Sequence, residues 1–168
     1  MSDIITIKQA EEKDILVLEE IYLDVVQWLD SINKPLWSKE RVSWQRLSKE
    51  FLIEDFYIAH INNNPAGCMA LIDCDSLIWP EIEKGQSLFA HKLAVQRFAA
   101  GRGISQALLK YAVDKCREKG IKFLRLDTDA NRENLMNIYE DFGFIRVDKK
   151  TLYIVEQTFD VARYVYNI

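Results

Sequence analysis

The chain lacks the marks of several large protein classes. No run of eighteen apolar residues occurs in its 168 residues, which excludes a membrane-spanning helix of ordinary length. The start, M-S-D-I-I-T-I-K-Q-A-E-E-K-D, turns charged after a few residues and offers no signal-peptide core, so a cytoplasmic protein is expected. Cysteines are three, Cys68, Cys74 and Cys116. The number is odd, paired metal-ligand spacing is missing, and all three fall in strand or helix patterns, so reduced, buried thiols are expected and a metal site is not. Lys/Arg blocks are absent and the formal net charge is -4, which argues against nucleic acid as a main partner. Nothing repeats at a fixed period and no linker appears, so residues 1–168 read as one domain, with nearly half the residues apolar and able to form a core.

What the chain does have is a glycine turn between a strand pattern and a helix pattern, L-A-V-Q-R-F-A-A-G-R-G-I-S-Q-A-L-L from Leu93 to Leu109. Gly101 and Gly103 let the backbone bend and approach a ligand, and Ile104, Ala107, Leu108, Tyr111 and Ala112 repeat behind them at helical spacing. Unpaired N–H groups at a helix start, together with the positive end of the helix dipole, favour an anion such as a pyrophosphate; Arg102 adds a cation at the rim. A Walker loop would need Gly-Lys-Ser/Thr, which is missing. A dinucleotide fingerprint would need a third glycine where Gln106 stands. A plain strand-to-helix turn that binds nothing is the competing reading of these residues.

The rest of the chain reads as alternating elements. Ile4–Lys8 alternates as a strand, and Ile15, Leu18, Tyr22, Val25, Val26 and Leu29 mark one face of a helix that starts near Glu11. Pro35 breaks that helix, and Ser38 is placed to cap a second one carrying Trp44, Leu47 and Phe51. Phe56–Ile61 and Gly67–Cys74 read as a hairpin joined through N-N-N-P-A. The segment between Cys74 and Leu88 is longer than a hairpin needs, and long ordered loops are often functional. Trp79 in that loop and Trp37 in the earlier turn are candidate acceptor-binding platforms; a tryptophan beside a proline also serves to plug a core edge. The aromatic tail F-D-V-A-R-Y-V-Y-N-I reads either as a last strand closing the sheet or as an exposed edge seeking a partner, such as a second copy in a homodimer.

A second segment, Leu124–Phe144, reads L-R-L-D-T-D-A-N-R-E-N-L-M-N-I-Y-E-D-F-G-F: a strand, a short amphipathic helix with Leu135, Ile138, Tyr139 and Phe142, then Gly143. A glycine-loop strand and helix followed by L-x-L-D and a Y-E-x-x-G-F ending resembles the GCN5-related N-acetyltransferases, closely from Leu88 to Val147. The resemblance implies an α/β (α+β, three-layer) fold: a mixed, mostly antiparallel sheet of six to seven strands with about four helices, and splayed fourth and fifth strands. It implies an acyltransferase that uses acetyl-CoA to acetylate a primary amine, with a small-molecule amine acceptor expected and no membrane partner. A non-catalytic acyl-CoA-binding or regulatory module of the same fold is the alternative.

Residue by residue, the family's loop has Arg or Gln, two free positions, Gly, one free position, then Gly or Ala. Here those positions are Ala100, Gly103 and Ser105, so two of three depart, although the Ser105 hydroxyl can itself donate to a phosphate. The resemblance gives the coenzyme to Leu93, Ala94 and Val95 and to Ala100, Gly101, Arg102, Gly103, Ile104 and Ser105. Where the family often has Asn, seven residues before the tyrosine, this chain has Arg132, flanked by Asn131 and Asn134. Tyr139 is implied as the acid that protonates the departing thiolate; a phenol of ordinary pKa about 10 keeps its proton at neutral pH. The bland reading is a core tyrosine. His91 is a candidate base that titrates near neutrality, with Asp73, Asp75 and Glu81 as others, and a structural His91 is equally compatible with its place in the strand.

Overall fold

The computed structural model describes residues 2–168. Seven strands hydrogen-bond in the order β1-β2-β3-β4-β5-β7-β6, with β1 Ile5–Gln9, β2 Phe56–Ile61, β3 Asn64–Ile72, β4 Leu88–Val95, β5 Phe123–Asp129, β6 Ile145–Ile154 and β7 Gln157–Asn167. The helices are α1 Ile15–Ser31, α2 Trp44–Leu47, α3 Ile104–Glu118 and α4 Glu133–Phe142. The expected mixed sheet with four helices is therefore present. None of the helices among the described residues is long and apolar enough to cross a membrane.

The chain divides into two compact units, and the break falls inside β4 and α3. The first holds the residues up to Leu71 and Lys92–Tyr111. In it, β1, β2 and β3 pair antiparallel, and Asn62 and Asn63, both at positive φ, make the tight β2–β3 turn. That turn is two residues long because asparagine tolerates the left-handed region, so β3 starts at Asn64 rather than at Gly67 as the sequence suggested. The α1 helix buries Leu18, Ile21, Tyr22, Val25, Val26 and Leu29, five of which are on the stripe read from the sequence. The expected second helix is only one α-turn, preceded by a 3-10 turn at Glu40–Val42; the Ser38 hydroxyl does accept the Arg41 N–H, at 3.3 Å.

Gly67 shows how tightly this unit is packed. A Cβ built there would lie 2.7 Å from the Ala94 carbonyl oxygen and 2.7 Å from Ile104 Cγ2. Both sit on the segment that leads into and out of the glycine turn. Gly67→Ala is therefore expected to destabilise the protein by about 1–3 kcal/mol through overpacking against backbone, read as a shift of the urea midpoint at constant slope.

The second unit holds Ile72–His91 and Ala112–Ile168. Within it, β5 pairs antiparallel with β7 from Phe123–Asn167 to Asp129–Val161, and β7 pairs with β6. The aromatic tail is thus an interior strand, and β6 forms the edge. The β6–β7 turn is Val155–Glu156, both at positive φ. β4 and β5 run parallel, but their ladder joins only Leu88 to Leu124 and Phe89 to Arg125. Both strands continue past those pairs, which is the parting of the fourth and fifth strands that the resemblance implied. A small core of Ile78, Trp79, Phe89, Leu152 and Val161 lies against the buried Arg163. Its guanidinium donates to Asp148 (2.8 and 2.7 Å), to Glu81 (2.7 Å) and to the Ile78 carbonyl (2.9 Å). Pairing on three sides is what makes a buried guanidinium tolerable.

Candidate functional site

In the first unit, the glycine turn is fixed at its entrance. The Gln96 N–H donates to the Ala66 carbonyl at 2.8 Å and the Arg97 N–H to Asp24 Oδ2 at 2.7 Å, while the Arg97 guanidinium stacks 3.7 Å from the centroid of Trp28. A 3-10 turn, Arg97–Ala99, follows, and then Gly101 at φ 74° and Gly103 at φ 83°. Those backbone angles disfavour side chains, which explains glycine at both positions. The Ala100 N–H is used by Arg97 and the Arg102 N–H by Ala99. Among the described residues, no backbone acceptor meets the N–H groups of Gly101, Gly103, Ile104 or Ser105. A Cβ at either glycine would meet nothing within 4 Å, so the amides border open space. Four such donors at the start of a fifteen-residue helix suit a diphosphate.

Arg102 is held differently from the sequence-based expectation. Its guanidinium makes a two-pronged pair with Asp3, at 2.8 and 2.6 Å, so it is already matched with a carboxylate at the rim. The Ser105 hydroxyl faces Gln106 Oε1 at 3.0 Å. Upstream, Leu93 and Val95 are half-buried and Ala94 is buried. Lys92 adopts φ 55° in the middle of β4, an unusual conformation for a residue other than glycine. Its carbonyl accepts the Tyr22 hydroxyl at 2.7 Å. This bond lies at the point where the positive φ turns the strand's peptide groups out of regular alternation. Trp37 stands edge-on to Tyr22, with ring centroids 5.7 Å apart, and the Lys92 ammonium is 5.3 Å from its ring. The half-buried Trp37 thus belongs to the surroundings of the β4 distortion.

In the second unit, three chemically active side chains from separate segments meet. His91 Nε2 lies 3.2 Å from Asp75 Oδ2, and donor atoms of Asp75, His91 and Asp127 all lie within 4.8 Å of one another. The contact falls short of hydrogen-bond geometry and is a close approach of the imidazole to the carboxylate. Burial pushes the Asp75 carboxyl upward, but His91 and the Ile78 and Leu77 N–H groups outweigh it, leaving it below the ordinary carboxylate range. The Ile78 contact is 3.0 Å, to Oδ1. Asp75 is therefore a carboxylate at neutral pH.

Tyr139, on α4, is half-buried, with its ring 6.0 Å from Phe144 and 6.2 Å from Tyr164. Burial, and next the Asp127 charge, push its phenol well above the ordinary value. Asn131 and Asn134 are exposed; the Asn131 N–H donates to Asp129 Oδ1 at 2.9 Å, and Arg132 Nε donates to the other oxygen of that carboxylate at 3.1 Å. Trp79 departs from its proposed role as a platform. It is 1 % exposed, packed 6.3 Å from Phe89 and covered by Arg163 at 4.3 Å, so it is a core residue that no acceptor reaches. Its loop is drawn inward by Arg163 holding the Ile78 carbonyl, a contact invisible in local sequence. Cys68 and Cys116 are buried as expected, while Cys74 is exposed; all three are free thiols.

The profile of the acetyltransferase (GNAT) family matches residues 22–144. The chain belongs to that family. It is 24% identical over 141 residues to an uncharacterized N-acetyltransferase of Methanocaldococcus jannaschii, a match that covers 83% of this chain and spans 60% of the length of that relative. A GNAT-family acetyltransferase of Listeria monocytogenes has the same fold, with TM-score 0.77, 20% identity and coverage of 99% of this chain and 100% of that one. A Salmonella typhimurium protein solved with its cofactor acetyl-CoA also shares the fold, with TM-score 0.64, 16% identity and coverage of 98% and 94%.

Proposed function

We propose that this GNAT-family protein is an acetyl-CoA-dependent N-acetyltransferase acting on a primary amine. The observation that carries the reading is the row of unmet amides at Gly101, Gly103, Ile104 and Ser105, at the loop where the family's sequence pattern falls. These amides would hold the diphosphate through main chain, so the departures at Ala100 and Ser105 remove little of the grip. When bound, acetyl-CoA supplies an acetyl group as an activated thioester.

The chain's own groups then have defined tasks. His91 takes a proton from the acceptor ammonium, and the Asp75 carboxylate, 3.2 Å away, stabilises the imidazolium that results. Tyr139 Oη holds a proton for the departing sulfur, and its raised pKa keeps it in the acid form. Trp37, set against Tyr22, offers an apolar wall to the body of the acceptor.

The test pairs thermal denaturation with thiol release. Acetyl-CoA at a hundredfold excess over its dissociation constant should add about 2.7 kcal/mol of stability, and thiol should appear with at least one member of a panel of small amines and peptide amino termini. No stabilisation by acetyl-CoA overturns the reading. Stabilisation without turnover on any amine leaves the non-catalytic acyl-CoA-binding module.

A further inference from the structure

The second unit contains a cavity of about 500 Å³ whose lining includes Arg125, Lys119 and Lys122 and no carboxylate. For a chain of net charge -4, three cations around one cavity are a local reversal of sign. Ile82, Ile121 and Phe123 form its apolar wall and Ser87 part of its floor.

Arg125 is the anchor. Its Nε donates to the fully buried Ser87 hydroxyl oxygen at 3.0 Å, and its guanidinium carbon lies 4.9 Å from the centroid of the Trp79 ring and 5.2 Å from that of Phe123. Ring faces and a hydroxyl hold the group in place without neutralising it. The nearby carboxylate, Glu81, is already bound to Arg163 at 2.7 Å. Burial, with Arg163 adding repulsion, lowers the Arg125 pKa against the pull of Glu81, as expected of a cation short of counter-charge. The negative end of α3 does not fill the gap, because the carbonyls of Lys115, Cys116 and Arg117 accept the N–H groups of Lys119, Ile121 and Gly120.

We propose that this cavity is a binding site for a phosphorylated small molecule, with the phosphate on Arg125, Lys119 and Lys122 and the ligand body against Phe123, Ile82 and Ile121. A half-buried guanidinium with free N–H edges and two mobile ammonium groups suit a doubly charged phosphate. The volume is that of a small-ligand site. The Ser87 hydroxyl accepts from Arg125 and keeps its own hydrogen to donate. The site uses none of the residues assigned to acetyl transfer. It includes Arg125 at the last register pair, Phe89–Arg125, before β4 and β5 part, so occupancy would stiffen the closed end of that ladder.

Isothermal titration with AMP, inorganic phosphate, citrate and adenosine tests the proposal. AMP should bind, inorganic phosphate more weakly, and added salt should weaken both. The double variant K119E/K122E alters exposed side chains and should fold normally by circular dichroism; it should weaken AMP by about tenfold or more, as should R125Q. Three results overturn the proposal: no heat with either phosphate compound, adenosine or citrate binding as well as AMP, or unchanged AMP affinity in K119E/K122E. The stabilisation by acetyl-CoA should persist in K119E/K122E. If it is lost there, the phosphate recognised is the coenzyme's own and a separate site is overturned, whereas AMP binding to a protein that acetyl-CoA does not stabilise supports the cavity and removes the transferase reading alone.

Discussion

Tyr139→Phe should lower kcat by about 10²- to 10⁴-fold with little change in the thermal midpoint. The substitution removes one oxygen and keeps the ring that packs beside Phe144 and Tyr164, so the aromatic cluster survives. What disappears is the proton. In the native protein, burial and the neighbouring Asp127 charge both disfavour the phenolate, and the sign of that effect matters. A raised pKa extends the acid form to higher pH, so the phenol stays protonated throughout the range in which a thiolate of ordinary pKa about 8.5 needs a proton. The basic side of the wild-type rate profile should accordingly carry no loss from Tyr139 at pH 8–9. Thiol release measured for both proteins across that range decides the matter: equal rates would remove Tyr139 from proton transfer and return it to the core-tyrosine reading.

The parts of this site that local chemistry determines were readable from the sequence. β4, Leu88–Val95, ends within the strand pattern that the sequence shows ahead of the glycine turn. Gly101 and Gly103 have the positive φ that two glycines before a helix suggest. Long-range contacts set the parts that were missed. Nothing near Lys92 announces a left-handed residue; Tyr22, seventy positions away, holds it with a single hydrogen bond. Arg102 read as a rim cation open to a ligand because its partner, Asp3, lies ninety-nine residues earlier. Trp79 looked accessible because its loop is polar, and the inward pull of Arg163 on Ile78 has no trace beside it. Asp75 and His91 were both named as candidates, yet their contact, and the approach of Asp127, depend on where two strands part. The tail strand was legible as a strand, but its insertion between β5 and β6 follows from a turn, Val155–Glu156, that lacks the usual glycine or asparagine.

His91→Gln should lower kcat/KM for the amine by about 10²- to 10⁴-fold and leave the KM for acetyl-CoA unchanged. The residue stands 3.2 Å from a carboxylate that His91 itself and the Ile78 and Leu77 amides keep ionised against the cost of burial. That charge stabilises the imidazolium formed when the proton arrives. Glutamine retains polar atoms at the position and limits the packing loss, but it has no basic nitrogen. Asp75→Asn separates the two contributions. It keeps the shape of the carboxylate and removes its charge, so it should give a smaller loss of kcat and, like His91→Gln, leave the binding of acetyl-CoA intact. A purely structural His91 would behave otherwise: the variant would unfold at lower temperature while its folded fraction turned over at the wild-type rate. Turnover rates and thermal midpoints collected on the same preparations therefore distinguish a base from a buried prop, and a full rate from the folded variant would overturn the assignment of His91.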